Sequence, residues 1–195
     1  MFYVVGLGNP GEKYQTTRHN VGWSALDCVL DKLLFSNLTE SRSLSGRVSV
    51  GVIKNEEVTV LYPNTFMNNS GSAAAKLVPK KEIEKLVVVH DDIDLPFGEL
   101  KIVQGRGSGG NNGVQSIIDK LDSKEFVRVR IGIASKSFWT RKVKRPAGGG
   151  PLERFVLKPF SNKEQKQLPE VFGQVQKALE IIISDGVEAA MSEIN

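Results

Sequence analysis

The stretch MFYVVGLGNPGEKYQTTRHN, Met1–Asn20, decides how the rest of the chain is read. Phe2–Leu7 is a short apolar run and reads as a first strand. Asn9-Pro10 and Pro10-Gly11 are turn dipeptides. His19, one of only two histidines, closes the stretch with Asn20. An amphipathic run begins near Val21, and Ser24–Leu34 carries Ala25, Leu26, Val29, Leu30, Leu33 and Leu34 on a helical stripe. A strand, then a polar loop dense in Gly and Asn, then a helix opening at a histidine presents polar side chains at the end of a sheet.

Further along, Arg47–Ile53 and Val58–Tyr62 alternate with period two, and the polar Lys54–Glu57 between them predicts a hairpin. Ser70–Val78 is Ala-rich and helical, with Pro79 just past its end. Lys85–His90 contains Leu86–Val89, apolar on both faces as in a buried central strand. Leu100–Val103 predicts another strand, Gly105–Gly113 a loop, Val114–Leu121 a helix, and Val127–Ala134 a strand with alternating Arg128 and Arg130. Ser135–Pro151 reads as a loop and Phe155–Leu157 as a short strand. Pro169 marks the start of a helix running through Gln174–Ser184, and Val187–Ile194 is a last helix. Strands interleaved with helices predict an α/β sandwich, and the early hairpin makes its central sheet mixed. Sites in such sheets lie at the carboxyl ends of strands. The polar motifs around Asn9 and His19, Asn64–Ser70, His90–Asp94 and Gly105–Gly113 all follow predicted strands.

The chain of 195 residues, 40% of them hydrophobic, predicts one domain spanning 1–195. No apolar run approaches the roughly 18 residues of a membrane span. The N-terminus lacks the basic and long apolar regions of a secretory signal. A single cysteine, Cys28, leaves no internal disulfide and fits a reducing cytoplasm. The net charge of +4 is local, because Lys136–Arg145 holds five basic residues and no acidic one. A basic patch on a near-neutral body predicts a polyanionic partner touched on one side. Phe138 and Trp139 within it offer stacking surfaces for RNA, and the same segment reads equally as a solvated disordered loop.

Gly6-Leu7-Gly8-Asn9-Pro10-Gly11 matches the dinucleotide fingerprint G-x-G-x-x-G in form. That fingerprint needs a helix beginning inside the motif. Here Pro10 and EKYQTTR delay the helix to about residue 20, so the glycines are expected to serve the turn and to let substrate approach the backbone. Gly105–Gly113 lacks the Gly-Lys-Ser/Thr of a P-loop. Asp91, Asp92 and Asp94 read either as metal-binding or as turn-capping carboxylates, and no metal-ligand spacing of His or Cys accompanies them. Asn68 and Ser70 are equally placed to cap the helix that follows. His19 by itself reads equally as a residue satisfying a helix N-terminus. Together these groups suggest more: a lone His with an Asp partner suits a general base acting on water. Several Asn amides suit a site that holds a carbonyl without adding charge. No G-x-S-x-G elbow is present, so a covalent nucleophile is not indicated.

Six motifs in one order carry a resemblance over nearly the whole chain: GLGNPGEKYQTTRHNVG, PNTFMNNSG, HDDIDLPFGELKI, GRGSGGNNGVQSI, RVRIGIA and FVLKPF. They resemble the bacterial-type peptidyl-tRNA hydrolases. The resemblance implies a monomeric, metal-free and cofactor-free esterase on a three-layer, phosphorylase/hydrolase-like α/β fold. It implies cleavage of the ester between a peptide and the terminal ribose of tRNA after abortive translation, with contacts to the 3′ end and acceptor stem. Matched position by position, His19 is the catalytic base and Asp91 its orienting carboxylate. Asn9 tells an N-blocked peptidyl group from a free aminoacyl group, and a carbonyl acceptor with no carboxylate beside it fits that task. Asn68 and Asn112 are substrate-holding amides, Tyr14 and Phe66 contact the tRNA end, and Met67 lines the same cleft. Arg130 falls where the family has a basic residue for tRNA phosphate. The chain departs from the pattern at Asn111, where many members have His, and at Val103, where several have Lys. Ser135–Gly150 is also longer and more basic than usual.

Overall fold

In the computed structural model, residues 1–135 and 149–195 are described. The strands and helices run in the order β1 (Phe2–Gly6), α1 (Val21–Lys32), β2 (Thr39–Ser41), β3 (Gly46–Ile53), β4 (Glu56–Pro63), α2 (Ser70–Leu77), β5 (Leu86–Pro96), β6 (Leu100–Gln104), α3 (Asn112–Leu121), β7 (Val127–Ala134), α4 (Gly150–Val156), α5 (Asn162–Gln165), α6 (Leu168–Ser184) and α7 (Val187–Ile194). Seven strands form one sheet in the order β2-β3-β4-β1-β5-β7-β6. The central four, β4, β1, β5 and β7, are parallel. The outer strands β2, β3 and β6 pair antiparallel, so the sheet is mixed as expected.

The alternation of β1 and β5 divides the core into two layers. Val4, Val87 and Val89 pack with Leu26 and Val29 of α1 and with Val175, Leu179 and Ile182 of α6. Tyr3, Val5, Leu86 and Val88 pack with Ala73 and Ala74 of α2 and with Val114 and Ile117 of α3. Helices on both faces of a buried parallel centre give the three-layer sandwich. β1 lies between β4 and β5, the point at which the strand order reverses, and a crevice forms there outside the carboxyl ends.

The β3–β4 hairpin closes through Lys54 and Asn55, with φ of 49° and 66°. Two central residues at positive φ match the right-handed twist of the flanking strands. Helix α1 sits unusually close to the sheet: a Cβ added at Gly22 would lie 2.5 Å from the Val89 carbonyl oxygen and 2.8 Å from that of Leu7.

Several local expectations change. Phe155–Leu157 is not a strand, since Phe155 and Val156 close helix α4, which also takes in Gly150 and Pro151. Its residues lack the two-fold alternation of a half-buried strand, and Pro151 in the first turn is preset for helix. β5 continues past His90 to Pro96, so His90–Asp94 lie within a strand and not after one. Pairing with β7 extends it despite the polar composition. Neither Asn68 nor Ser70 caps α2: the helix follows a 3-10 turn, Met67–Asn69, and has no side-chain cap. β2 and α5, of three and four residues, are too short to show a periodicity in the sequence. The proposed RNA-contacting stretch Lys136–Arg145 lies outside the described residues.

Candidate active site

His19 is delivered by a 3-10 turn, Arg18–Asn20, that leads directly into α1. Its Nδ1 lies 2.9 Å from Asp91 Oδ2. With an ionised Asp91 as acceptor, Nδ1 carries the proton and Nε2 keeps its lone pair. The His19 side chain is 13% exposed and that of Asp91 only 4%, so the imidazole is reachable while the carboxylate is sealed behind it. Burial, the largest influence on His19, pushes its pKa down. The charge and hydrogen bond of Asp91 outweigh it, and the pKa ends above the ordinary histidine value.

The second oxygen of Asp91 is also engaged. Asn111 Nδ2 donates to Asp91 Oδ1 at 3.0 Å, while Asn111 Oδ1 accepts from the backbone N–H groups of Gly113 and Val114 at 3.0 and 3.1 Å. The two backbone donors fix the orientation of the amide. Asn111 is thus both the N-cap of α3 and a clamp on the carboxylate. It reaches Asp91 by an indirect route. β6 ends with Gln104 opposite Val127, four residues below Ile131, the partner of Asp91. The Gly105–Gly110 loop therefore climbs about 13 Å along the sheet, and its site end is not simply the carboxyl end of the preceding strand.

Asn9 is held by Asn20: the Asn9 N–H donates to Asn20 Oδ1 at 2.9 Å, and Asn20 Nδ2 donates to the Asn9 carbonyl at 3.0 Å. The Asn9 side-chain oxygen accepts from the Met67 N–H at 2.8 Å. Its carbonyl is therefore already used, and the group it offers is the Nδ2 donor, contrary to the acceptor expected from sequence. Gly6 and Gly8 face α1 and not the cleft. A Cβ at Gly8 would lie 2.7 Å from the Trp23 ring, and one at Gly6 2.8 Å from Leu26. Trp23 donates to the Gly6 carbonyl at 2.8 Å. These glycines admit helix α1, not a substrate.

Asn9, Tyr14, His19, Phe66, Met67, Asn68, Asp91 and Asn112 all border one cleft of about 580 Å³. Phe66 is 61% exposed while its neighbour Met67 is buried. The structure does not bring Arg130 there; its guanidinium pairs with Asp92. Asp92 also accepts from the Asp94 N–H at 2.8 Å, so the neighbouring carboxylates have separate partners. His90 is fully buried and donates through Nδ1 to the Asp91 carbonyl at 2.7 Å. Burial pushes its pKa down to about 4, which leaves it neutral and away from the chemistry. Leu152, Glu153 and Val156 of α4 complete the cleft. Val156 falls in the stretch expected as a strand, Leu152 and Glu153 fall between it and the expected loop, and no local pattern of the sequence assigns any of them to the site.

The sequence of residues 3–195 matches the family model of peptidyl-tRNA hydrolases. The chain belongs to the peptidyl-tRNA hydrolase family. It is 36% identical to the peptidyl-tRNA hydrolase of Thermodesulfovibrio yellowstonii over all of this chain and 99% of that protein. It is 39% identical to that of Syntrophotalea carbinolica, over 100% and 97%. The crystal structure of peptidyl-tRNA hydrolase from Acinetobacter baumannii superposes with a TM-score of 0.87 at 28% identity, covering 100% of this chain and 94% of that one. The family is one of hydrolases, so the cleft with its His19–Asp91 pair is the candidate centre for hydrolysis.

Proposed function

We propose that this chain, acting as one domain and as a cytoplasmic monomer, hydrolyses the ester of N-blocked peptidyl-tRNA and releases peptide and tRNA after abortive translation. The observation that carries the mechanism is the His19 Nδ1–Asp91 Oδ2 contact of 2.9 Å at the edge of a cleft walled by amides. Nε2 of His19 takes a proton from water as the water oxygen attacks the ester carbonyl. The resulting imidazolium is stabilised by the Asp91 charge. Asn68 and Asn112, exposed on the cleft wall, donate to the oxyanion. His19 then returns the proton to the departing ribose oxygen, which leaves as the terminal hydroxyl of tRNA.

Asn9 supports the choice of substrate. Its Nδ2 donor pairs with the carbonyl oxygen of a peptide bond. An aminoacyl ammonium at the same place sets donor against donor. A misplaced polar partner of this kind discriminates by roughly 10⁴-fold. Tyr14 and Phe66 provide stacking surfaces for unpaired nucleotides at the tRNA end. The role implied for Arg130 toward phosphate rests on position alone, since its charge is already matched by Asp92. The deciding experiment is hydrolysis of N-acetylaminoacyl-tRNA and of free aminoacyl-tRNA by the wild type and His19→Ala. The wild type cleaves only the blocked ester, and the variant loses about 10²–10⁴ in kcat, the usual share of a general base. Wild-type turnover by His19→Ala would sink the proposal.

A further inference from the structure

Arg18, the residue before His19, has no part in the mechanism above, yet it is one of the most heavily engaged side chains in the protein. It is 7% exposed. Its guanidinium lies 4.9 Å from the centre of the Phe155 ring and 5.1 Å from that of Phe160. Nη1 donates to the carbonyls of Lys158 and Pro159. Nη2 pairs with Glu164 Oε2 at 2.7 Å. That carboxylate also accepts from the Ser161 N–H and hydroxyl, each at 2.7 Å, as part of the capping box that opens α5.

All these partners belong to one segment, Phe155–Glu164, which begins in the last turn of α4 and runs into α5. Among the described residues the backbone adds an anchor to the same turn at one place: the Arg18 N–H donates to the Lys158 carbonyl at 3.0 Å, beside a bridge between Thr17 and Pro159. The planar guanidinium ties the two elements together, because it meets Phe155 at the end of α4 and Glu164 in α5 at once. A fork of donors with a stacking face suits that task, and a lysine ammonium does not. Helix α4 has no fully buried residue and meets the core only through the partly buried Phe155 and Val156 of its last turn, so what holds that turn bears on its position. Its Leu152, Glu153 and Val156 form one wall of the cleft that His19 borders.

We infer that Arg18 is a positioning residue that locks the α4 wall of the cleft onto the turn carrying His19, and so sets the width of the substrate site. This rests on the cleft being the peptidyl-tRNA site. The wall meets substrate alike in the ground and transition states, so loosening it weakens binding more than turnover.

The test compares wild type, Arg18→Lys, Phe155→Ala and Glu164→Gln by hydrogen exchange of the amides of residues 153–158 and by steady-state hydrolysis of N-acetylaminoacyl-tRNA. In Arg18→Lys and Phe155→Ala those amides exchange about tenfold faster, and KM rises about tenfold with kcat within about twofold. Glu164→Gln shows a smaller change of the same kind. The pH midpoint of kcat/KM stays at the wild-type value, because the His19–Asp91 pair is untouched. Unchanged exchange and unchanged KM in the folded variants overturn the inference, as does a loss confined to kcat. If Arg18→Lys fails to fold, Phe155→Ala and Glu164→Gln decide the matter alone. Exchange is read without substrate, so a failure of the catalytic reading in His19→Ala leaves the test of the lock standing.

Discussion

His19 faces two opposed influences, and their balance makes its role measurable. Burial favours the neutral imidazole, and the Asp91 carboxylate favours the charged one more strongly. A general base works in its neutral form. Activity therefore rises with pH through a midpoint above about 6.5, the ordinary histidine value. Asp91→Asn removes the charge and leaves burial, so the midpoint of kcat/KM falls while part of the activity survives. An unmoved midpoint would make Asp91 merely structural. Asn111 tests the other side of the carboxylate. Asn111→Asp keeps an acceptor for the α3 cap but replaces the donor that faces Asp91 Oδ1 with a second negative charge. The midpoint then moves up. Asn111→Ala loses the cap as well and costs about 1 kcal/mol of stability by chemical denaturation. The resemblance marks Asn111 as a departure from the family pattern, but its partner is 20 residues away across a climbing loop. No local pattern supplies that contact.

At the scale of the element, the decisive feature is the seat of α1. The helix begins over the ends of β1 and β5 because Gly22 lets its backbone approach the carbonyls of Leu7 and Val89. His19 reaches Asp91 only when the preceding turn sits at that depth. Gly22→Ala places a Cβ 2.5 Å from a backbone oxygen that cannot rotate away. The variant is expected to lose about 1–3 kcal/mol, the usual range for overpacking. It is also expected to lose activity beyond what its folded fraction explains, as the His19–Asp91 contact lengthens. Normal specific activity in the folded fraction would show that the turn adjusts independently of the helix. Helix α1 itself was legible from its stripe of Ala25, Leu26, Val29 and Leu30. The reason for its opening glycine was not, because the atoms that demand it lie on two other strands. Helix α4 was misread for a related reason: seven residues with no buried face carry little periodicity.

For the whole molecule, the buried His90 ties stability to pH. Its pKa near 4 in the folded state lies below the unfolded value of about 6.5. The unfolded chain therefore binds the proton first as the pH falls. The stability that His90 confers is fully present above about pH 6.5 and is lost as the pH drops toward 4, a change of order 3 kcal/mol. Urea midpoints recorded from pH 7.5 to 4.5 should fall steadily in the wild type. His90→Leu should flatten this range, and an equal slope in that variant would assign the acid sensitivity to other groups. Among the described residues no helix is long and apolar enough to cross a membrane. The parallel centre of the sheet gathers Asn9, Met67 and Asp91 at one edge, from chain positions up to 82 residues apart.

Most of the order of strands and helices, the buried central strand, the early hairpin and the residue types of the site were set by local pattern: two-fold alternation, a helical stripe, turn dipeptides and six motifs in sequence. These signals are local because they reflect which face of an element is buried and where the backbone must turn. Orientation came only with the tertiary structure. It turned the Asn9 side-chain oxygen toward the Met67 N–H, gave Asn111 to the second oxygen of Asp91, committed Arg130 to Asp92 and filled the space over Gly6 and Gly8 with α1. It also showed Met1–Asn20 to be one part of a site completed by Met67, Asp91, Asn111 and α4. Each of these contacts joins residues whose separation in sequence carries no energy of its own, and packing alone brings them within reach.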